Sequence, residues 1–349
     1  MIDWLTMEIP LRHSEQIGDG HVLSLGQSGD VEWQSVKRLA VVGSHDSRVH
    51  VRTSRYSKEP CTHLYVEGNP AKWFQGHNLW GSDDLHGLAV ELCYSIADRL
   101  GLDVHPDDAS AWLAGAIRLT RVDVTASFHL GSLGQVLAFL RTAEQSAHLS
   151  HRGRGQLVKG STLYFGKSSR RWSLKLYSKG QEIKAKGHEQ SKVLRLPSAV
   201  KWAERALRVE LTIRGMELRR RCLSWVSAWS KMEGHEGVTS SLLLPVLEGL
   251  SMTTKNTLSA EVLDSLRPAL RVAAQAWEGG ADLRASLSRP TFYRYRKELL
   301  AHGIDIAAVM PKEVSNVVPL HRVLEAKVAD VPDWACGTDL YYEPRRLVG

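Results

Sequence analysis

The sequence predicts an α+β protein: an antiparallel sheet with helices packed on one face across residues 1–215, then a mainly helical region over 216–349 with a helix-turn-helix near 282–302. Two observations carry this. Three stretches, Arg118–Leu130, Trp172–Lys179 and Leu207–Arg214, alternate apolar and polar residues with the period of a half-buried strand. Between and after them come stretches with helical spacing, and helical patterns take over beyond Gly215.

In chain order, residues 2–9 read as a short strand with Asp3 near its start, and residues 20–56, rich in Val, Ser, Gly and His without helical period, read as hairpins. His63–Glu67 alternates as a strand, and Gly68–Gly81 is dense in turn formers and aromatics. Over 82–100, Leu85, Leu88, Ala89, Leu92, Ile96 and Leu100 line one helix side, with Ser82, Asp83 and Asp84 suited to its start and Gly101 to its stop. The Arg118–Leu130 strand is followed by a helix around 132–148, a glycine-rich mobile loop over 150–160, and a hairpin of 161–166 with 171–178. A Lys-rich connection leads to Leu207–Arg214. Later, helices over 282–287 and 290–302 flank Ser288 and Arg289, with Pro290 in the first turn and Gly303 at the end. That short-turn spacing predicts a helix-turn-helix whose second helix offers Tyr293, Arg294, Arg296 and Lys297 to a DNA groove; a plain helical hairpin is the alternative.

With 349 residues the chain has room for two domains. It lacks an apolar run of some 18 residues and begins without a basic, then apolar leader, which argues against a membrane span and a secretion signal. Its four cysteines form no Cys-x-x-Cys pair, so a reducing cytoplasm is expected. The net charge of +7 permits nucleic-acid binding without requiring it. Its distribution is more telling: from Lys159 to Arg221 basic residues outnumber acidic ones roughly three to one.

Each of the three alternating stretches brings one distinctive group to its polar side: Asp123, Tyr177 and Glu210. If the three share a sheet, those groups converge. A tyrosine between Lys175 and Lys179 sits in a field that favours phenolate and attracts phosphate. Tyrosine is a fitting nucleophile where a DNA strand is cut and later rejoined, because a phosphotyrosine link conserves the phosphodiester's energy. Its free pKa of about 10 calls for nearby positive charge or a metal. Asp123 and Glu210 are candidate ligands for a hard divalent cation, Mg²⁺ or Mn²⁺, and Lys179 a candidate stabiliser of phosphate or phenolate charge. The structural alternative is that these carboxylates pair with Arg121 and Arg208 and that Tyr177 is ordinary strand packing.

The ordered blocks Asn69–Gly81, Leu119–Thr125, Ser161–Gly166, Leu174–Lys179, Leu207–Ile213 and Asn316–Leu320 resemble the replication initiators of filamentous bacteriophages, the gene II protein family. The middle blocks are also similar to rolling-circle plasmid initiators, in which a Gly-x-Thr-x-Tyr-x-Gly strand precedes an Arg-x-Tyr-Asp-Lys strand. The resemblance runs from Ile2–Leu5 to Pro332–Trp334. It implies an origin- and strand-specific nicking and joining enzyme that cuts double-stranded replicative-form DNA, stays on the 5′ end and leaves a 3′-hydroxyl. It also implies a displaced single strand and a host replicative helicase and polymerase as partners.

By the same resemblance Tyr177 is the nucleophile with Lys179 beside it, Asp123 and Glu210 are the metal positions, and Asp3 is a weaker third ligand. Ser178 and Lys175 depart from the plasmid pattern, which has Asp or Asn and Arg there, and no His-hydrophobic-His pair is present. His77 is a candidate ligand or DNA contact, or else caps a tight turn. Tyr164 is a candidate for the second transesterification that termination requires, which a second subunit or a water would also serve, and strand packing explains this tyrosine as well. Lys175, Arg152, Arg154, Lys167, Arg170 and Arg171 are expected phosphate contacts. Two rivals remain: a non-catalytic helix-turn-helix regulator, and a hydrolytic nuclease using Asp123 and Glu210.

Overall fold

A computed structural model describes the chain except residues 19, 46, 55–60, 150–151, 186–189, 231–236, 253–259, 279–280, 282, 303, 308–327 and 346–349. The strands are β1 (Ile2–His13), β2 (His21–Leu25), β3 (Val31–Val36), β4 (Leu39–Val42), β5 (Arg48–Thr53), β6 (Cys61–Gly68), β7 (Arg118–His129), β8 (Ala147–Leu149), β9 (Gly153–Arg154), β10 (Gln156–Val158), β11 (Thr162–Phe165), β12 (Trp172–Ser178), β13 (Ala206–Arg214) and β14 (Leu250–Met252). Nine of them form one sheet in the order β10-β11-β12-β13-β7-β1-β6-β5-β4, and every pairing in it is antiparallel.

Register decides what each face carries. Leu174, Leu211 and Val124 stand opposite one another on successive strands, and Leu5 stands opposite Val122. These side chains are fully buried. The helices α1 (Pro70–Gln75), α2 (Leu85–Leu100), α3 (Pro106–Leu113) and α4 (Leu133–Ser146) follow the strands. Leu88, Leu92 and Ile96 of α2 and Val136, Phe139 and Leu140 of α4 share the core with that apolar face. Asp84 caps the start of α2, and Gly101 ends it in the left-handed conformation (φ 64°) that glycine adopts without steric cost.

The glycine-rich stretch expected as a mobile loop instead supplies edge structure. Arg154 pairs with His148, and Gln156–Val158 pairs with Thr162–Tyr164. Gly155 allows this close approach, since a Cβ there would meet Leu163 Cδ1 at 2.6 Å. Ser150 and His151 lie outside the described residues.

The Lys-rich connection is also helical in part, as α5 (Lys179–Glu182), α6 (Ser191–Leu194) and α7 (Pro197–Arg205). Ala199, Trp202 and Ala203 of α7 pack with Leu79, Trp80 and Ala335 in a second, smaller apolar cluster. It gathers beside the polar side of the sheet, where Trp202 stands edge-on to His129 (4.8 Å).

The switch in composition at 215 is not a break in packing. Leu218 of α8 (Gly215–Arg220), Trp229, and Leu242 of α9 (Gly237–Glu248) belong to the sheet's core, and Leu250–Met252 pairs with Ala147–Leu149. A separate helical cluster follows with α10 (Ala260–Ser265), α11 (Pro268–Glu278), α12 (Leu283–Ser286) and α13 (Arg289–Leu300), centred on Leu270, Trp277, Leu283, Phe292 and Leu299. Arg289 lies inside α13 rather than in the turn. Asp282, Gly303 and the Asn316–Leu320 block lie outside the described residues. The last described segment returns to the sheet: Val328 bridges Phe128, and the Ala329 amide donates to the Ser127 carbonyl (2.7 Å).

Candidate active site

The polar face brings the expected groups together. Asp123 lies on β7 beside Thr212, Glu210 on β13 beside Lys175, and Tyr177 on β12 beside Arg208. Strict period-2 alternation in adjacent strands makes this convergence unavoidable. A register shift in β1 between Ile2 and Trp4 adds Asp3 to the group. Tyr164 on β11 faces Lys175, so it shares the face with Tyr177.

Burial gives these groups their electrostatics. Tyr177 is only 3% exposed, and that burial, with Glu210 adding to it, raises its phenol well above the ordinary value. The phenolate-favouring field expected from sequence is therefore outweighed in this state, although the Lys175 ammonium lies 4.0 Å from the ring centre. Burial also raises Asp123 to about 6, with Glu210 and Asp3 contributing against the Arg121 fork. Arg121 grips both Asp123 oxygens (2.9 and 2.5 Å), and Lys175 donates to Glu210 (3.1 Å).

Lys179 does not continue the strand as its spacing suggested. It opens α5, whose N-cap Ser178 accepts from the Gln181 amide (3.3 Å). Ser, Asp and Asn all serve this capping role, so the departure at 178 keeps the local geometry. The Lys179 ammonium is fully buried between Glu182 and the Asn78 side-chain oxygen, 2.7 Å from each. Burial lowers its pKa to about 8 against the pull of Glu182.

A family model for the N-terminal part of the phage replication-associated protein, the gene II product, matches residues 1–232. Its counterpart for the C-terminal part of the same protein matches residues 259–344. The replication-associated gene II protein of Enterobacteria phage I2-2 is 39% identical over 336 residues, covering 95% of each chain. The chain belongs to the gene II replication-associated protein family. A rolling circle replication initiator protein from Geobacillus stearothermophilus is similar in structure at 12% identity, with a TM-score of 0.34 over 89% of this chain and 98% of that one. The two family models and the phage relative meet the family expectation from the ordered sequence blocks.

Within this gene II family chain, the carboxylates Asp3, Asp123 and Glu210 supply hard oxygen donors on one face, the chemistry that suits Mg²⁺ or Mn²⁺. The Asp123 pKa is raised first by burial and then by the neighbouring Glu210 and Asp3 carboxylates, against the pull of Arg121. Among the described residues, however, no three His, Cys, Asp or Glu side chains stand close enough to hold an ion. Arg121 and Lys175 occupy the acids instead. His77 is buried and pushed down to about 3, chiefly by that burial. Its Nδ1 accepts from the Leu79 amide (3.3 Å), the turn-capping arrangement.

The expected phosphate contacts divide. Lys167, Arg170 and Arg171 are exposed, as are Tyr293, Arg294 and Lys297. Arg171 pairs with Glu217 (2.9 Å), and Arg152 lies over Trp172 at 4.1 Å. Arg154 and Arg296 are committed inside the protein. Arg154 donates to the carbonyls of Ala307 and Gln145, and Arg296 forks Asp305 (2.8 and 3.0 Å).

Asn78, which the sequence did not mark, and Arg208, expected there only as a partner for Glu210, organise the site. Asn78 donates to Asp3 (2.8 Å) and accepts from Lys179 (2.7 Å) and Gln190 (2.8 Å). Arg208, fully buried, donates to Thr125 Oγ1 (3.1 Å) and to the Asn78 and Leu79 carbonyls. The C-terminal segment holds the same loop: Trp80 Nε1 donates to the Leu340 carbonyl (2.8 Å), and the Tyr342 amide to Gln75 (2.9 Å).

Proposed function

We propose that this gene II family protein initiates phage replication by nicking and rejoining one strand of replicative-form DNA, with Tyr177 as nucleophile. The observation that carries this reading is the gathering of Tyr177, Lys175, Glu210, Asp123 and Asp3 on one sheet face. The phenolic oxygen attacks the scissile phosphorus, the P–O3′ bond breaks, and one proton passes, net, from the phenol to the departing 3′-oxygen. The product is a 5′-phosphotyrosine link and a free 3′-hydroxyl, and reversal by a 3′-hydroxyl rejoins the strand.

Asp123 and Glu210, with Asp3 beside them, would hold Mg²⁺ or Mn²⁺ once Arg121 and Lys175 release them for phosphate. Such an ion supplies Lewis-acid polarisation of the phosphoryl oxygens. The Lys175 ammonium over the Tyr177 ring stabilises the phenolate as it forms. Lys179, buried against Glu182, fixes the turn that ends the tyrosine strand. Tyr164 on the same face is placed for a second transfer.

Origin recognition is assigned to α13, read as the second helix of a helix-turn-helix that presents Tyr293, Arg294 and Lys297 to the duplex. The displaced single strand and the host helicase and polymerase follow as partners from the family resemblance. The rival reading, hydrolysis by the carboxylates, draws on the burial of Tyr177.

Incubation of the protein with supercoiled origin DNA and Mg²⁺ separates the two. A nick with protein on the 5′ end, lost in Tyr177→Phe by about 10⁴-fold or more, supports transfer. A nick with free 5′-phosphate that persists in Tyr177→Phe overturns it.

A further inference from the structure

Beyond Asp123, on the side away from Tyr177, the polar face continues over β1, β6 and β5 with side chains the chemistry above does not use. Trp4 stands opposite Asp123, and Tyr65 stands between Glu8 and Arg52. Both aromatics are half-buried on a face that carries polar side chains. Trp4 is fixed by its indole N–H, which donates to Thr6 Oγ1 (3.1 Å), and the Arg121 guanidinium lies 5.5 Å from its ring centre. Arg52 lies 4.5 Å from the Tyr65 ring centre and Arg38 6.0 Å. Arg38 is paired with Glu67. Arg52 donates only to the Thr53 carbonyl (3.2 Å) and has no carboxylate partner among the described residues.

Half-exposed aromatic rings interleaved with arginines on a sheet face suit bases that stack and phosphates that need a cation. Such a site does not suit a duplex, whose bases are already stacked on one another. Direction follows from the reaction. Attacking and leaving oxygens lie roughly in line through phosphorus. With the phosphate over Asp123 and Glu210 and Tyr177 on one side, the leaving 3′-oxygen faces β1.

We propose that Trp4 and Tyr65, with Arg52 and Arg121, form a stacking platform for the single-stranded DNA immediately 5′ of the cleaved bond, the segment that ends in the new 3′-hydroxyl. Holding that end keeps it available to a polymerase and, later, to rejoining. The direction assigned to the strand rests on the Tyr177 reading, whereas stacking on the platform can be measured without it.

The test uses full-length Tyr177→Phe protein without divalent metal and two fluorescein-labelled single strands from the phage's own origin. One carries the nucleotides 5′ of the nick and ends in a 3′-hydroxyl; the other carries those 3′ of the nick. Anisotropy titrations are run with Trp4→Ala, Tyr65→Ala and the corresponding Phe variants, each first shown to melt with the parent. Each Ala variant should bind the upstream strand about tenfold more weakly, the Phe variants should recover most of that loss, and downstream binding should change less than twofold. Unchanged upstream affinity, or equal loss on both strands, overturns the platform. A Tyr177 adduct formed by the wild-type protein alongside such a null result leaves the nicking reading standing. Absence of the adduct with the upstream loss intact removes the nicking reading and keeps the platform as a single-strand site.

Discussion

Tyr177 and Tyr293 both sit among basic residues in the sequence, yet the fold gives them opposite surroundings. Tyr177 is 3% exposed, whereas Tyr293 is 48% exposed. Around Tyr177 lie Lys179 and Arg208, both fully buried, together with Asp3 and Glu210. Burying charged groups costs several kcal/mol each unless partners compensate them closely. The tyrosine side of the molecule therefore sustains a concentration of charge that packing alone does not favour, while α13 presents Arg294 and Lys297 to water at little cost. The buried, charge-dense arrangement is the stronger pointer to chemistry. The solvated one suits reversible contact with a charged surface.

The contrast breaks most sharply at the tyrosines themselves. Tyr177→Phe should lower strand joining by about 10⁴-fold or more, while Tyr293→Phe should leave it within about twofold and act only on origin affinity. Joining assays on single-stranded origin oligonucleotides read this directly, and equal effects would dissolve the distinction.

Asp123→Asn should cost nicking on the order of 10²–10³-fold and still raise the melting temperature. The folded Asp123 pKa is raised to about 6, so between its ordinary value and 6 the folded state holds more protons than the unfolded state. Its contribution to stability then falls as pH rises through that window. The asparagine variant should be the more stable protein at pH 7.5 by roughly 1–3 kcal/mol and nearly equal at pH 4. Loss of stability at pH 7.5 would mean that the carboxylate is structural.

Glu217 tests the electrostatics from the other direction. Hydrogen bonds from Arg220, then Arg221 and Arg171, hold it down to about 2. A depressed carboxylate contributes stability above its ordinary pKa and loses that contribution as pH falls from about 4.5 toward 2. Glu217→Gln should flatten the acid limb of the stability curve by about 1–2 kcal/mol, since the arginines are partly screened by solvent. Smallest of all, Arg294→Ala and Lys297→Ala should each reduce the salt slope of duplex-origin binding by about 1. Nicking of a pre-bound single strand should be unaffected.

What the sequence revealed was what repeats. Period-2 alternation placed Asp123, Glu210 and Tyr177 on one face, because the strands pair in the register that buries Val122, Leu211 and Leu174. Helical period gave α2 and α4 with their caps. What it hid were contacts between positions far apart that follow no period. Asn78 reaches Lys179 across 101 positions, and Trp80 reaches Leu340 across 260. Helix α7 carries an i, i+3, i+4 stripe in Ala199, Trp202 and Ala203, but three residues in a charged stretch make too short a pattern to mark a helix. The edge strand at Gln156–Val158 depends on Leu163 packing over Gly155, a tertiary contact with no local mark.

Trapping the product shows whether Tyr177 itself takes the DNA. Protein incubated with labelled single-stranded origin DNA and Mn²⁺ is digested, and the nucleotide-bearing peptide is sequenced by mass spectrometry. The expected product is a 5′-phosphate esterified to Tyr177 on the Trp172–Lys179 segment. A first adduct on Tyr164, or cleaved DNA with a free 5′-phosphate and no adduct, would contradict it.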